Sequence, residues 1–161
     1  MRTHIISTGG TIEGLDYENI NQKQINTIAI EDILSNAKIT SDYSIDKILN
    51  KDSRFINDDD RELIAETIKS SDSEKILLTH GTITMVETAI FLGKLKINQT
   101  IVLTGAFILG TKKNSDAPFN LGFALSALKF LEPGVYIAMN GTIFNWDNVR
   151  KNNQHNRFET L

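Results

Sequence analysis

The sequence predicts an α/β domain built on a mostly parallel sheet with helices on both faces. Three observations predict it. Compact apolar runs near the usual strand length of about five residues alternate along the chain with stretches of helical periodicity. The runs are apolar throughout rather than every second residue, as strands covered on both faces require. Most are closed by glycine or a small hydroxyl residue, which turns the chain toward the next helix. The chain has 161 residues, 40% of them hydrophobic and 23% charged. That suits one domain with a real core, read here as a single domain over 1–161 without repeat or linker.

The elements follow in order. His4 to Thr8 is the first strand, stopped by Gly9-Gly10. Glu13 to Ala29 is polar, aperiodic and long for an ordered loop, so it is read as a mobile lid, with disorder as the alternative. Glu31 to Ala37 makes a short helix and Ser44 to Leu49 a second strand. Asp58-Asp59-Asp60 puts negative charge at a helix start, and Leu63, Ile64 and Ile68 give that helix its apolar stripe. Ile76 to Thr79 is the third strand. Thr84-Met85-Val86-Glu87 has the pattern of a capping box, opening a helix whose core side carries Val86, Ile90, Phe91 and Leu95. Thr100 to Thr104 is the fourth strand. Ser115-Asp116-Ala117-Pro118 starts a helix with Leu121, Ala124, Leu125, Leu128 and Leu131 on its apolar face. Pro133-Gly134 breaks it, Val135 to Met139 is the fifth strand, and Thr142-Ile143-Phe144 pairs beside it as a hairpin. The tail from Asp147 is polar and rich in asparagine. This order specifies three layers of the flavodoxin/Rossmann-like kind.

Composition excludes several functions. There is no cysteine, hence no disulfide frame, thiol nucleophile or Cys-ligated metal. A formal charge of −3 argues against a general nucleic-acid binder. No run of about 18 apolar residues is present to span a membrane. No phosphate-binding glycine pattern appears, because Gly10 and Gly14 do not fit G-x-G-x-x-G and no Gly-Lys-Ser/Thr follows. His80 reads as a buried hydrogen-bonding histidine rather than a metal ligand, since no ligand spacing surrounds it. Trp146, beside Phe144, reads as a packing residue.

Parallel sheets bind ligands beyond the carboxyl ends of their strands. The residues placed there are Thr11, Ser53, Thr82, Gly105-Ala106, Asn140 and Lys151. Two of the segments repeat one pattern of strand, glycine, threonine: Ser7-Thr8-Gly9-Gly10-Thr11-Ile12 and Leu78-Thr79-His80-Gly81-Thr82-Ile83. A threonine held on a glycine turn is a nucleophile when a base takes its proton. Lys151 is the available amine, and a desolvated lysine serves as a base near neutral pH. Acyl transfer by threonine is the chemistry this predicts. Spacing alone fits a plain strand-ending turn at Gly9-Gly10 equally well.

At these residues the chain resembles the bacterial-type L-asparaginase family, over that family's N-terminal catalytic domain. Thr8-Gly9-Gly10-Thr11-Ile12 is similar to its first threonine motif, and Thr79-His80-Gly81-Thr82-x-Thr84-Met85 with Glu87-Thr88-Ala89 to its second. Asp52-Ser53 followed by Asp58-Asp59-Asp60-Arg61 also fits, as does Leu103-Thr104-Gly105-Ala106. Tyr136 to Gly141 and Trp146-Asp147-Asn148-Val149-Arg150-Lys151 complete six motifs in order. In length and tail the chain is similar to short, single-domain members.

The resemblance implies hydrolysis of the side-chain amide of L-asparagine, perhaps also of glutamine, to the acid and ammonia. It implies Thr11 as first nucleophile, Thr82 as second catalytic threonine, Lys151 as its activator, and Ser53 and Ala106 at the substrate. Tyr17 lies in the loop that supplies a supporting tyrosine. Position 83 departs from the pattern: isoleucine stands where the family's second motif has the aspartate that binds the substrate ammonium. An ammonium left unpaired in a dry site costs several kcal/mol. Two alternatives to an asparaginase therefore stay open: a binding or regulatory protein on the same fold, and an amidase for a substrate lacking the α-ammonium group. The expected setting is cytoplasmic, with a small-molecule amide substrate, a homo-oligomeric assembly, and no cofactor, nucleic acid or membrane partner.

Overall fold

A computed structural model describes residues 2–15 and 28–161. Five parallel strands form the body of the sheet: β1 (Thr3–Ser7), β2 (Tyr43–Lys47), β3 (Lys75–Thr79), β4 (Thr100–Thr104) and β5 (Gly134–Met139). A sixth, β6 (Thr142–Asn145), pairs antiparallel with β5 through the predicted hairpin. The spatial order is β2-β1-β3-β4-β5-β6. β1, β3 and β4 lie inside the sheet with apolar centres and are buried along their length apart from half-buried Lys75, whereas β2 is an edge strand and only half covered.

Successive side chains of a strand point to opposite faces, and the core splits accordingly. Ile6, Leu78 and Leu103 pack under α2 (Asp58–Lys69) and α3 (Met85–Lys94). Ile5, Leu77 and Val102 pack under α1 (Ile30–Asn36) and α4 (Ala117–Leu128). Each fully buried aliphatic side chain stabilises the fold by about 1.5–3 kcal/mol, which is why the two faces hold the sheet between them. The three-layer α/β prediction is the observed architecture.

Several local expectations are corrected. On α2 the apolar stripe is Ile64, Ala65 and Ile68, while Leu63 is 41% exposed. On α3 the buried stripe is Met85, Ala89 and Leu92, one residue round from the expected Val86, Ile90 and Phe91, which lie half-buried on its flank. Met85, Ala89 and Leu92 join Leu78 and Leu103 of the sheet in one buried cluster, a match that helical periodicity by itself leaves open by one residue. On α4 the buried set gains Ala117, Asn120 and Ala127, whereas Leu125 and Leu131 sit at the margin. The capping box belongs to α2, where Asn57 and Asp60 bond each other's backbone N–H, and not to α3, where the Thr84 side chain makes no cap.

The polar tail is more structured than its composition suggests. It forms a hairpin of β7 (Arg150–Asn152) and β8 (Arg157–Glu159), anchored in the core by Val149 and Phe158. Trp146 packs against Gly93 of α3 so closely that a side chain there has no room, consistent with its reading as a packing residue. At the opposite edge of the sheet, His4 bonds Ser71 at 2.8 Å and Asp46 at 3.0 Å, pinning β1 to β2 and to the end of α2. Of the lid expected over 13–29, residues 16–27 lie outside the described residues.

Candidate active site

The site is assembled from the turns that end β1 and β3. After β1 the chain passes through Gly9 and Gly10 at φ of 88° and 94°, a left-handed conformation that strains any residue with a Cβ. It then enters a 3-10 turn, Thr11–Glu13. Buried Glu13 anchors this turn by accepting a 2.7 Å hydrogen bond from Ser7 Oγ and pairing with Lys47 at 2.8 Å. The anchored turn presents Thr11 at the carboxyl edge of the sheet.

After β3 the anchor is His80, only 1% exposed. Its Nδ1 bonds the Gly81 carbonyl at 2.8 Å, and its Nε2 accepts from Thr88 Oγ1 at 2.9 Å. Burial pushes its pKa down to about 4; the Gly81 hydrogen bond opposes this and the nearby charge of Arg61 adds to it. The ring is therefore neutral at pH 7 and ties the Gly81-Thr82 turn to α3. This bears out the reading of His80 as a structural histidine. Among the described residues no group of three or more His, Asp or Glu comes together as a metal site.

Close packing of three turns brings the predicted residues together. A Cβ added at Gly81 would lie 2.5 Å from Ser53 Oγ, and one added at Gly10 would lie 3.3 Å from the Gly81 nitrogen. Ser53 itself begins a 3-10 turn, Ser53–Phe55, and is 1% exposed. Thr84 donates its hydroxyl to the Ser53 carbonyl at 2.6 Å, which explains why it does not cap α3. Asp52 accepts from the Arg54 backbone at 2.8 Å and from its guanidinium at 2.6 Å. Burial raises the Asp52 pKa, but the hydrogen bonds and charge of Arg54 outweigh it, so the carboxyl sits below its ordinary value.

Lys151 enters from β7 and donates from Nζ to Thr82 Oγ1 at 3.1 Å. Its ammonium also lies 5.6 Å from the centre of the Phe107 ring. Burial lowers its pKa and the negative charge of Glu87 partly offsets that. Thr11, Ser53, Thr82, Ile83, Ala106 and Lys151 all line one cavity of about 400 Å³. Of the residues expected at this edge, Gly105 and Asn140 do not line the cavity, Asn140 being turned to Asn120, whose Oδ1 accepts from its backbone N–H at 2.9 Å, and Tyr17 lies outside the described residues. Ile83 is 48% exposed and offers an apolar surface to the cavity.

The sequence reading missed other wall residues. Asp52 and Arg54 flank Ser53, and Phe107 follows Ala106, so adjacency to the motifs was their signal. Asn156 reaches the cavity from the β7–β8 turn, and nothing in its surrounding sequence announces that.

Fold and site together define an α/β domain with two glycine-held threonines, one bonded to a lysine, at the carboxyl edge of a parallel sheet. Residues 2–160 match the family described as asparaginase, N-terminal, and the chain belongs to that family. It is 34% identical to an L-asparaginase of Thermococcus kodakarensis over 86% of this chain and 44% of that protein. It is 30% identical to a probable periplasmic L-asparaginase of Haemophilus influenzae over 91% of this chain and 45% of the relative. The solved thermostable L-asparaginase of T. kodakarensis superposes with a TM-score of 0.84 at 30% identity, covering all of this chain and 51% of its own. The chain thus spans about half the length of the relatives it matches.

Proposed function

We propose that this domain is an amidohydrolase of the asparaginase type, releasing ammonia from the side-chain amide of asparagine or a closely similar amide. The observation that carries the reading is the 3.1 Å hydrogen bond from Lys151 Nζ to Thr82 Oγ1, in a cavity that Thr11 also lines. A cavity of about 400 Å³ has room for an amide of amino-acid size. Membership of the asparaginase N-terminal family supports the same chemistry.

In this reading Thr11 Oγ attacks the amide carbon. Its proton passes to the amide nitrogen, ammonia leaves, and an acyl-threonine ester remains. Lys151, acting as base, takes a proton from Thr82, which takes one from water. The hydroxide equivalent attacks the ester, the acid is released, and the proton returns to Thr11 Oγ. Backbone N–H groups of the glycine turns stabilise the oxyanion in both steps. Ser53 holds the substrate carboxylate, and Ala106 forms part of the substrate wall.

The test is ammonia release from asparagine, glutamine and a simple amide by the purified chain. Release that depends on Thr11 and Thr82 supports the reading; none on any amide overturns it.

Self-association belongs to the same proposal, and sedimentation showing only an 18.0 kDa species at working concentration would exclude it. A cytoplasmic setting also belongs to it, and draws on the Campylobacter jejuni structure described as a probable cytoplasmic L-asparaginase, TM-score 0.76. The Haemophilus relative is described as periplasmic, so cell fractionation is the deciding measurement.

A further inference from the structure

Lys151 and Ile83 line two cavities. The first holds the threonines; the second, about 480 Å³, is bounded by Ile83, Val86, Glu87, Arg150, Lys151 and Asn153. In this second cavity Glu87 of α3 and Lys151 of β7 share one wall space, with the apolar Ile83 beside them. Glu87 has no hydrogen bond or ion pair of its own among the described residues, since Arg150, the other cation there, is held by Glu159 at 2.9 Å. The remaining charges on the lysine's side of the site are also engaged: Asp52 with Arg54 at 2.6 Å, and Arg61 with Asp58 at 3.0 Å. Glu159 is divided between Arg150 and Arg157. His80 is neutral.

We propose that Glu87 is a positioning residue that sets the charge of Lys151 through the second cavity, a part that an acidic residue at position 83 would otherwise play. Its catalytic consequence rests on Lys151 acting as base for Thr82, but the electrostatic relation itself does not. A carboxylate facing an amine favours the ammonium form, and an apolar neighbour gives no such help. Because Ile83 is apolar, the one unpaired carboxylate across the cavity governs how readily Lys151 yields and takes a proton. The burial of Lys151 works in the opposite direction, and Glu87 limits it.

The experiment follows the Lys151 side chain by NMR in protein labelled with 13C at lysine Cε, with the signal assigned by its loss in Lys151→Arg. Glu87→Gln moves the Lys151 titration midpoint to lower pH, while Glu87→Asp, which keeps the charge, stays nearer the wild type. Adding Ile83→Asp to Glu87→Gln brings the midpoint back up. Alongside this, the rising limb of the kcat/KM profile for asparagine moves to lower pH in Glu87→Gln. An unchanged midpoint in Glu87→Gln overturns the proposal. No ammonia release with the midpoint differences intact overturns the amidohydrolase reading and supports this one. Glu87 is exposed on the helix surface, so the folded state tolerates both variants.

Discussion

Thr84 donates its hydroxyl to the carbonyl of Ser53 at 2.6 Å, joining two turns that lie 31 positions apart in sequence. This bond holds the serine turn against the Gly81-Thr82 turn. It also fixes the separation between the proposed substrate carboxylate site and the Thr82–Lys151 pair.

Removing that hydroxyl leaves the Ser53 carbonyl with the Ile56 N–H, at 3.2 Å, as its remaining partner. Thr84→Ala is expected to lower stability by about 0.5–1.5 kcal/mol, the net value of one hydrogen bond, measured as the midpoint shift in urea. In the same variant KM for asparagine rises, because Ser53 loses its support. A variant with unchanged KM and unchanged midpoint shows the bond to be inconsequential.

Thr11→Ala and Thr82→Ala each remove ammonia release by at least about a thousandfold, as expected when members of one catalytic unit are lost. Stability changes by no more than about 1 kcal/mol, because each change takes away a small side chain at a loop edge. Wild-type rates in both variants would exclude the nucleophile assignment.

Ile83→Asp raises kcat/KM for L-asparagine by roughly thirtyfold or more. A hydrogen-bonded charge pair that the bound substrate closes off from water is worth ~2–5 kcal/mol, equivalent to roughly thirtyfold to several thousandfold. Ile83 is already 48% exposed, so the carboxylate meets no folding penalty of consequence. The gain is confined to substrates that carry the ammonium group. An equal gain on a simple amide would show the new carboxylate acting through Lys151 instead.

His80 gives the fold a pH dependence of definite sign. Its native pKa is about 4 against an ordinary value of 6.5, so below that ordinary value the unfolded chain binds a proton the native ring refuses. Its neutral form costs nothing above pH 6.5; stability then falls progressively as pH drops toward about 4. Over that window the loss is on the order of 3 kcal/mol. Urea titrations at pH 7 and 4.5 show the slope, and His80→Gln removes most of it, whatever that variant's starting stability. A slope retained in full by His80→Gln would assign it to other groups.

Much of this protein was determined by the sequence alone. Five apolar runs separated by helical segments specify a parallel sheet, because only strands covered on both faces are apolar throughout. The same runs, most of them ended by glycine or hydroxyl residues, specify the edge at which Thr11, Ser53 and Thr82 gather, since ligand edges lie where parallel strands stop. Tertiary structure alone decided the rest. The side of α3 that turns inward is settled by its packing with Leu78 and Leu103 of the sheet, and periodicity leaves a rotation of one residue undetermined. Whether Thr84 caps its own helix or bonds Ser53 depends on a partner brought near by folding. Lys151 meets Thr82 across 69 positions because the polar tail folds back as a hairpin held by Val149 and Phe158. Glu87 and that lysine come to line one cavity only once α3 and β7 are in place. Local sequence encodes which face of an element is apolar, whereas contacts between side chains far apart in the chain depend on the angle and distance at which those elements pack.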